Sequence, residues 1–310
     1  MTKVFIDGSA GTTGLRIYER LSLRKDIQLL SLPEAMRKDI DARQEIMNKA
    51  EIVFLCLPDA AAREAVTLVN NPATAVIDTS TAHRTAAGWV YGFPELHGQR
   101  ELIQSSKRIA NPGCHATGFI SLVRPLREMG LLSSDALLNC FSLTGYSGGG
   151  KSMIADYEGD RKTADMSSPG IYALGQSHKH LPEMAKICVL DTYPLFSPIV
   201  DDYYSGMATT VPLHMKTLKG VDSIDRLREA FSDYYAGETL ISVEGSFDSS
   251  AKYYGGGMSG LDSLRIHIAG NNERFTLTAV FDNLGKGASG AAIQNMNILL
   301  GADECTGLSI

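Results

Sequence analysis

Of the five cysteines in this 310-residue chain, at 56, 114, 140, 188 and 305, one has the setting of a nucleophile. Cys114 lies in Asn111-Pro112-Gly113-Cys114-His115-Ala116-Thr117-Gly118, at the head of a predicted helix over 116–129 closed by Gly130. The positive end of a helix dipole lowers a thiol pKa. Gly113 clears space for an incoming acyl group, and helix N–H groups can stabilise a tetrahedral oxyanion. The same local sequence also suits a buried structural thiol. The other cysteines read as inert: Cys56 sits in an apolar strand, Cys140 and Cys188 in apolar runs, and Cys305 in the tail. No Cys-x-x-Cys pair supports a zinc site or a disulfide framework. A base for the thiol is offered by Gly175-Gln176-Ser177-His178-Lys179-His180-Leu181-Pro182-Glu183, ahead of a helix starting near Pro182. Either His178 or His180 can ionise Cys114 and shuttle a proton. Taken singly, each histidine also reads as an ordinary hydrogen-bonding residue. His-x-His can hold metal too, but no third or fourth ligand is evident, so no metal is expected.

Glycine is over-represented, at 30 residues, and gathers at 8–14, 145–150, 255–260 and 285–290. Clustered glycine marks backbone that turns sharply or lets something come close. Gly8-x-x-Gly11-x-x-Gly14 follows a strand and opens a helix, the place where backbone N–H groups meet a pyrophosphate. Ser9, Thr12 and Thr13 lie between those glycines and share the expected cofactor contact. The second strand ends in Leu30-Ser31-Leu32-Pro33, with no carboxylate for a ribose diol. Ser31, with Arg24, Lys25, Arg37 or Lys38 nearby, suits a 2′-phosphate, so NADP(H) is the expected cofactor. Arg84, in Asp78-Thr79-Ser80-Thr81-Ala82-His83-Arg84, is placed to fork onto a carboxylate or phosphate. Residues 145–152, Gly-Tyr-Ser-Gly-Gly-Gly-Lys-Ser, satisfy the P-loop pattern literally. A P-loop helix should run well past Ser152, yet Gly159 arrives within two turns. A loop over the substrate, with Ser147, Gly148 and an anion-meeting Lys151, is the preferred reading, and a nucleoside triphosphatase the alternative. Residues 282–292 lead a strand into a helix whose first turns hold only tiny side chains, so a flat ring can lie at its start. For 255–260 only a turn is expected.

The elements that must position these groups fall into two sets. Apolar strands at 4–6, 27–32, 52–57 and 75–77 alternate with helices at 15–23 and 60–69. The alternation predicts βαβ units and a parallel sheet. Leu15, Tyr18, Leu21 and Leu23 share one side of the first helix. After residue 130 the pattern becomes period-two, at 264–268 and 275–281, with further strands at 137–143 and 206–215. Ser223 caps a helix with Ile224, Leu227, Phe231 and Tyr234 on its apolar face. A last helix spans 288–300. The expected architecture is α/β: a Rossmann-type parallel-sheet domain over 1–113 and 285–310, and an α+β substrate and oligomerisation domain over 114–284 with a mainly antiparallel sheet.

Net charge is −6, which argues against nucleic acid as the main partner. No stretch reaches 18 apolar residues, so no membrane span is expected. The first residues do not read as a signal peptide, and unpaired thiols suit the cytoplasm.

Taken together, Gly-x-x-Gly-x-x-Gly, Ser80-Thr81-Ala82-His83-Arg84, Pro94-Glu95-Leu96, Asn-Pro-Gly-Cys-His-Ala-Thr, His-Lys-His-Leu-Pro-Glu and Asp-Asn-Leu-Gly-Lys-Gly-Ala-Ser-Gly resemble the short form of the N-acetyl-γ-glutamyl-phosphate reductase family. The resemblance runs in order over residues 3–301. Aspartate-semialdehyde dehydrogenases share the architecture and are the nearest alternative. The resemblance implies NADPH-dependent reduction of an acyl phosphate in arginine biosynthesis, through a thioester on Cys114 with acid–base help from His178 or His180. It also implies that Asn283 and Gly287 flank the nicotinamide. Arg84 and Lys151 would hold substrate phosphate or carboxylate, and the protein would be a homodimer or homotetramer.

Overall fold

The computed structural model describes all 310 residues. The chain begins β1 (Thr2–Asp7), α1 (Thr12–Ser22), β2 (Ile27–Leu30), α2 (Ile40–Lys49), β3 (Ile52–Leu55), α3 (Asp59–Thr67), β4 (Ala75–Asp78), β5 (Val90–Tyr91), α4 (Gln99–Ser105) and β6 (Arg108–Ala110). It continues α5 (Cys114–Glu128), β7 (Asn139–Gly145), α6 (Gly150–Glu158), β8 (Gly170–Ile171), α7 (Leu181–Ile187), β9 (Leu195–Asp201) and β10 (Met207–His214). It ends α8 (Ile224–Tyr234), β11 (Ile241–Val243), β12 (Leu264–Gly270), β13 (Arg274–Phe281) and α9 (Gly290–Leu299). Two compact units result: Met1–Gly113 with Ala288–Leu308, and Cys114–Gly287 with Ser309–Ile310. Residues 285–287, assigned to the first unit on sequence, cluster with the second.

The first unit is a six-stranded sheet in the order β2-β1-β3-β4-β6-β5, every pairing parallel. Strands covered on both faces carry apolar side chains on both, and each face has its own core. Val4, Ile6, Phe54, Ile77 and Ile109 pack with Ile17 and Leu21 of α1, Ile103 of α4 and Ile293 and Met296 of α9. Phe5, Val53, Leu55 and Val76 pack with Ile46 and Met47 of α2 and Ala65 of α3. The buried stripe of α1 is Gly14, Ile17 and Leu21. Leu15, Tyr18 and Leu23, expected beside Leu21, are instead exposed by 45%, 45% and 85%.

The second unit is a seven-stranded sheet in the order β11-β12-β13-β10-β7-β9-β8. Its pairings are antiparallel except β11–β12 and β7–β9. The period-two strands bury Leu264, Ile266 and Ile268, and Phe275, Leu277 and Ala279. Ser223 caps α8, accepting from the Arg226 N–H, and α8 buries Ile224, Leu227, Phe231 and Tyr234. No helix is long and apolar enough to cross a membrane.

Candidate active site

Cys114 is the first residue of α5, and α5 lies directly on the sheet because residue 118 is glycine. A Cβ there would come within 2.4 Å of Thr209 Oγ1 and 3.0 Å of the Phe281 ring. Gly287 lets the π-helical turn Gly285–Ser289 pass beside the cysteine, since its own Cβ would sit 3.0 Å from the Cys114 Cβ. Three imidazoles gather here. Ring centroids of His115 and His178 lie 5.5 Å apart, those of His115 and His180 5.7 Å, and those of His178 and His180 4.8 Å. They do not form a set placed to hold a metal ion. Burial, reinforced by His178 and Lys179, pushes His115 down to about 3. Burial, reinforced by Lys179, pushes His178 down to about 4. Both rings are therefore neutral near pH 7. The His180 N–H donates to His178 Nδ1 at 3.2 Å, which leaves the ring proton of His178 on Nε2.

The segment carrying these histidines is held out of ordinary geometry. Ala173 and Gln176 have φ of 54° and 52°, a left-handed conformation uncommon outside glycine. The Gln176 amide pins it, donating to the Phe196 carbonyl and accepting from the Phe196 N–H, both at 2.9 Å. His115 and Tyr172 were not singled out on sequence. His115 was visible only as the neighbour of Cys114, and nothing local marks Tyr172.

Three other thiols are held protonated by their surroundings. Cys56, just past β3, is pushed up by burial to about 12. Cys140 and Cys188 are also pushed up by burial.

In the first unit the glycine turn borders a cavity of about 640 Å³ lined by Asp7, Gly8, Ser9, Ala10, Leu15, Tyr18, Ser31, Arg37 and Leu57, among others. Gly11 is the N-cap of α1, and Thr12 and Thr13 form its first turn. Gly8 has φ +87°, and a Cβ there would lie 2.3 Å from the Cys56 carbonyl oxygen. Of the four cations considered for a 2′-phosphate, Arg37 lines the cavity and the other three do not. Arg24 is committed elsewhere, donating to Asp26 at 3.0 and 2.6 Å and to Asn297 at 2.5 Å.

Two of the expected ligands also brace the fold. Arg84 is buried and donates to the Asn111 and Thr79 carbonyls, each at 2.9 Å, joining the chain beyond β4 to that beyond β6. Asn283, expected beside a nicotinamide, is 1% exposed. Its amide accepts from the Gly206 N–H at 2.7 Å and donates to Ser147 Oγ at 3.0 Å. Ser147 is thereby buried, while Gly148 and Lys151 are exposed.

The P-loop alternative fails on its donors. The N–H groups of Gly145, Tyr146 and Ser147 donate to the carbonyls of Gly206, Tyr203 and Tyr204 at 3.0, 2.9 and 3.0 Å. A phosphate cradle needs those groups unengaged. The 255–260 cluster belongs to the same packing. A Cβ on Gly206 would lie 2.3 Å from the Gly255 carbonyl oxygen, and one on Gly255 would lie 2.1 Å from the Tyr203 hydroxyl.

Residues 3–105 match the family model for the semialdehyde dehydrogenase NAD binding domain, and residues 114–283 that for the semialdehyde dehydrogenase dimerisation domain. Aspartate semialdehyde dehydrogenase from Francisella tularensis superposes with a TM-score of 0.72 at 15% identity, covering 97% of this chain and 100% of that one. The Candida albicans enzyme, solved with NADP, gives 0.65 at 14% identity over 97% and 98%. These likenesses establish the fold. The N-acetyl-gamma-glutamyl-phosphate reductase 2 of Nostoc sp. is 45% identical, covering 99% of both chains. The Chelativorans sp. N-acetyl-gamma-glutamyl-phosphate reductase is 47% identical over 96% of this chain and 98% of its own. Identity of that size over nearly the whole length of both chains puts this chain in the N-acetyl-gamma-glutamyl-phosphate reductase family.

Proposed function

We propose that this chain reduces N-acetyl-L-glutamyl 5-phosphate to N-acetyl-L-glutamate 5-semialdehyde with NADPH, releasing phosphate, in arginine biosynthesis. The observation that carries the reading is Cys114 at the head of α5, next to His115, whose ring packs with those of His178 and His180, in a chain so similar to the reductases.

The first unit fits the cofactor. Leu15, Tyr18, Leu30 and Leu57 supply apolar walls for a base, and Ser31 with Arg37 supplies a hydroxyl and a cation for a 2′-phosphate. Gly8, Ser9, Gly11 and the first turn of α1 at Thr12, Thr13 and Gly14 present backbone to a pyrophosphate. NADPH, when bound, supplies the hydride that reduces the acyl carbon.

The second unit's residues carry the rest. Cys114 Sγ attacks the acyl carbon, the carbon–oxygen bond to phosphate breaks, and phosphate leaves with the electron pair. The N–H groups of the first turn of α5 stabilise the oxyanion that forms on the way. His178 Nδ1 already accepts from the backbone N–H of His180, so His178 serves as an N–H donor, and the His180 ring is the base proposed to take the thiol proton. Once the thioester carbon is reduced, the protonated His180 gives its proton to the thiohemiacetal oxyanion and takes it back as the carbon–sulfur bond breaks, which restores the thiolate. Lys151, exposed near Gly148, is the cation proposed for the substrate's anionic groups.

Assembly as a homodimer or homotetramer through the seven-stranded sheet accounts for Phe141 and Leu195, exposed by 44% and 63% on β7 and β9. The family model for this unit is a dimerisation domain. A cytoplasmic setting fits a chain whose cysteines form no disulfide.

The test runs the reaction backwards. The purified protein should reduce NADP with N-acetyl-L-glutamate 5-semialdehyde only when phosphate is present, and poorly with aspartate semialdehyde. Cys114→Ala should abolish turnover. Full turnover in that variant would overturn the nucleophile, and a preference for aspartate semialdehyde would overturn the substrate.

A further inference from the structure

The cavity beside the glycine turn holds a carboxylate in a place meant for a polyanion. Asp7, the last residue of β1, lines it together with Ser31 and Arg37, the pair assigned above to a 2′-phosphate. Strand side chains alternate, so Asp7 lies on the same face as Phe5, the face that packs against α2. On α2, Arg43 precedes the buried Ile46 by three residues and Met47 by four, which sets it on the same inward stripe. A guanidinium in such a stripe needs a partner. Arg43 Nη2 donates to Asp7 Oδ2 at 2.7 Å, and the two side chains are only 12% and 11% exposed.

The pair is lopsided. An arginine that only braced a fold would set its fork on both carboxylate oxygens. Here the guanidinium gives Asp7 a single N–H, and its Nε is buried with no partner. Asp7 lines the cavity, whereas Arg43 stands behind it. What this geometry delivers to the cavity is cancellation of charge. Water screens a nearly buried carboxylate poorly, so Asp7 alone would repel a 2′-phosphate held by Ser31 and Arg37 in the same recess. It would not repel a ribose diol, which carboxylates bind. Arg43 removes the repulsion without entering the cavity itself.

We propose that Arg43 sets the preference for NADPH over NADH by cancelling the charge of Asp7. Arg43 is a positioning residue, since it meets the cofactor only through Asp7. The inference rests on the cavity taking the adenosine end of NADPH, as proposed above.

The experiment is calorimetric titration of the protein with 2′,5′-ADP and with 5′-AMP, which differ only in the 2′-phosphate, at low salt and again at high salt. Arg43→Gln should weaken 2′,5′-ADP by about tenfold at low salt, the size of an uncancelled like charge in a partly solvated site. It should leave 5′-AMP within about twofold, and high salt should shrink the difference. Asp7→Asn/Arg43→Gln, with both charges gone, should return to within about threefold of wild type. Asp7→Asn alone leaves the arginine uncancelled and should tighten 2′,5′-ADP by about tenfold. That variant carries the test if Arg43→Gln does not fold. An unchanged 2′,5′-ADP affinity in Arg43→Gln, equal losses for both nucleotides, or weaker binding in Asp7→Asn would overturn the proposal. A loss that persists in the double variant would overturn it too, because Arg43 would then touch the phosphate directly. Wild-type protein that binds neither 2′,5′-ADP nor NADPH would remove the cofactor site. Selective wild-type binding with a silent Arg43→Gln would remove this inference alone.

Discussion

Two glycine-rich turns in this molecule share one arrangement, strand then glycines then helix, and do opposite things. At the end of β1, Gly8 takes φ +87° against the Cys56 carbonyl, and a Cβ on Gly14 would lie 2.4 Å from the Gly8 carbonyl oxygen. Those glycines press turn, helix and neighbouring strand together beneath a cavity that the turn then borders. At the end of β7, Gly145 has an ordinary φ of −66°. Glycine is required there because a Cβ would lie 2.6 Å from the carbonyl oxygens of Tyr203 and Tyr204. The N–H groups of this second turn serve the chain's own 203–206 segment. Glycine spacing thus encodes close approach in both turns; in the first, the Gly11 N–H is also taken, donating to the Gly8 carbonyl at 3.0 Å, so it is the first turn of α1 that is left for a ligand.

Substitutions can break that comparison. The largest effect is expected for Gly8→Ala, which combines a left-handed backbone with a clash against rigid backbone. It should destabilise the protein by about 3 kcal/mol and remove NADPH binding, read by thermal unfolding and fluorescence titration. Gly145→Ala has the clash without the backbone penalty, so it should cost about 2 kcal/mol and leave the NADPH dissociation constant unchanged. If Gly145→Ala weakened NADPH as much as Gly8→Ala does, the two turns would not differ in kind. Arg37→Ala should erode the preference for NADPH over NADH by about tenfold, the worth of a charge-assisted hydrogen bond at an exposed site.

The same physics explains what was legible beforehand. The parallel sheet was, because β1, β3 and β4 must be apolar on both faces to be covered on both. Helix α2 was not: only Ala42, Ile46 and Met47 are buried, too thin a stripe to show among charged neighbours. Strand β9 was hidden by Pro198, which should not sit inside a sheet. It is tolerated because β8 pairs only with Ile199 and Val200, leaving the Pro198 nitrogen outside that ladder. In the site, Cys114 was legible from its position at a helix head. At Arg84 and Asn283, residue type reveals that a group can bind an anion or amide. It does not reveal that backbone carbonyls accept from Arg84, that Ser147 Oγ accepts from the Asn283 amide, or that the Gly206 N–H donates to that amide's oxygen. Leu15 and Tyr18 broke the helical stripe for a related reason: they line the cavity instead of the core.

The smallest effect sharpens the comparison most. Lys151 carries the residue that a P-loop would use to neutralise a triphosphate, but here it lies exposed on the first turn of α6, behind three N–H groups that face protein. Lys151→Ala should therefore shift stability by less than about 0.5 kcal/mol, as exposed substitutions do. Calorimetry with ATP or GTP should show no binding in either form, and NADPH affinity should be untouched. Its one visible consequence should be a higher KM for the acyl phosphate, by about threefold to tenfold, because a single exposed cation meets an anionic substrate through screened charge. Triphosphate binding that disappears with Lys151 would make the second turn a true phosphate loop and erase the distinction between the two. An unchanged KM would keep the distinction but move the substrate's cation elsewhere.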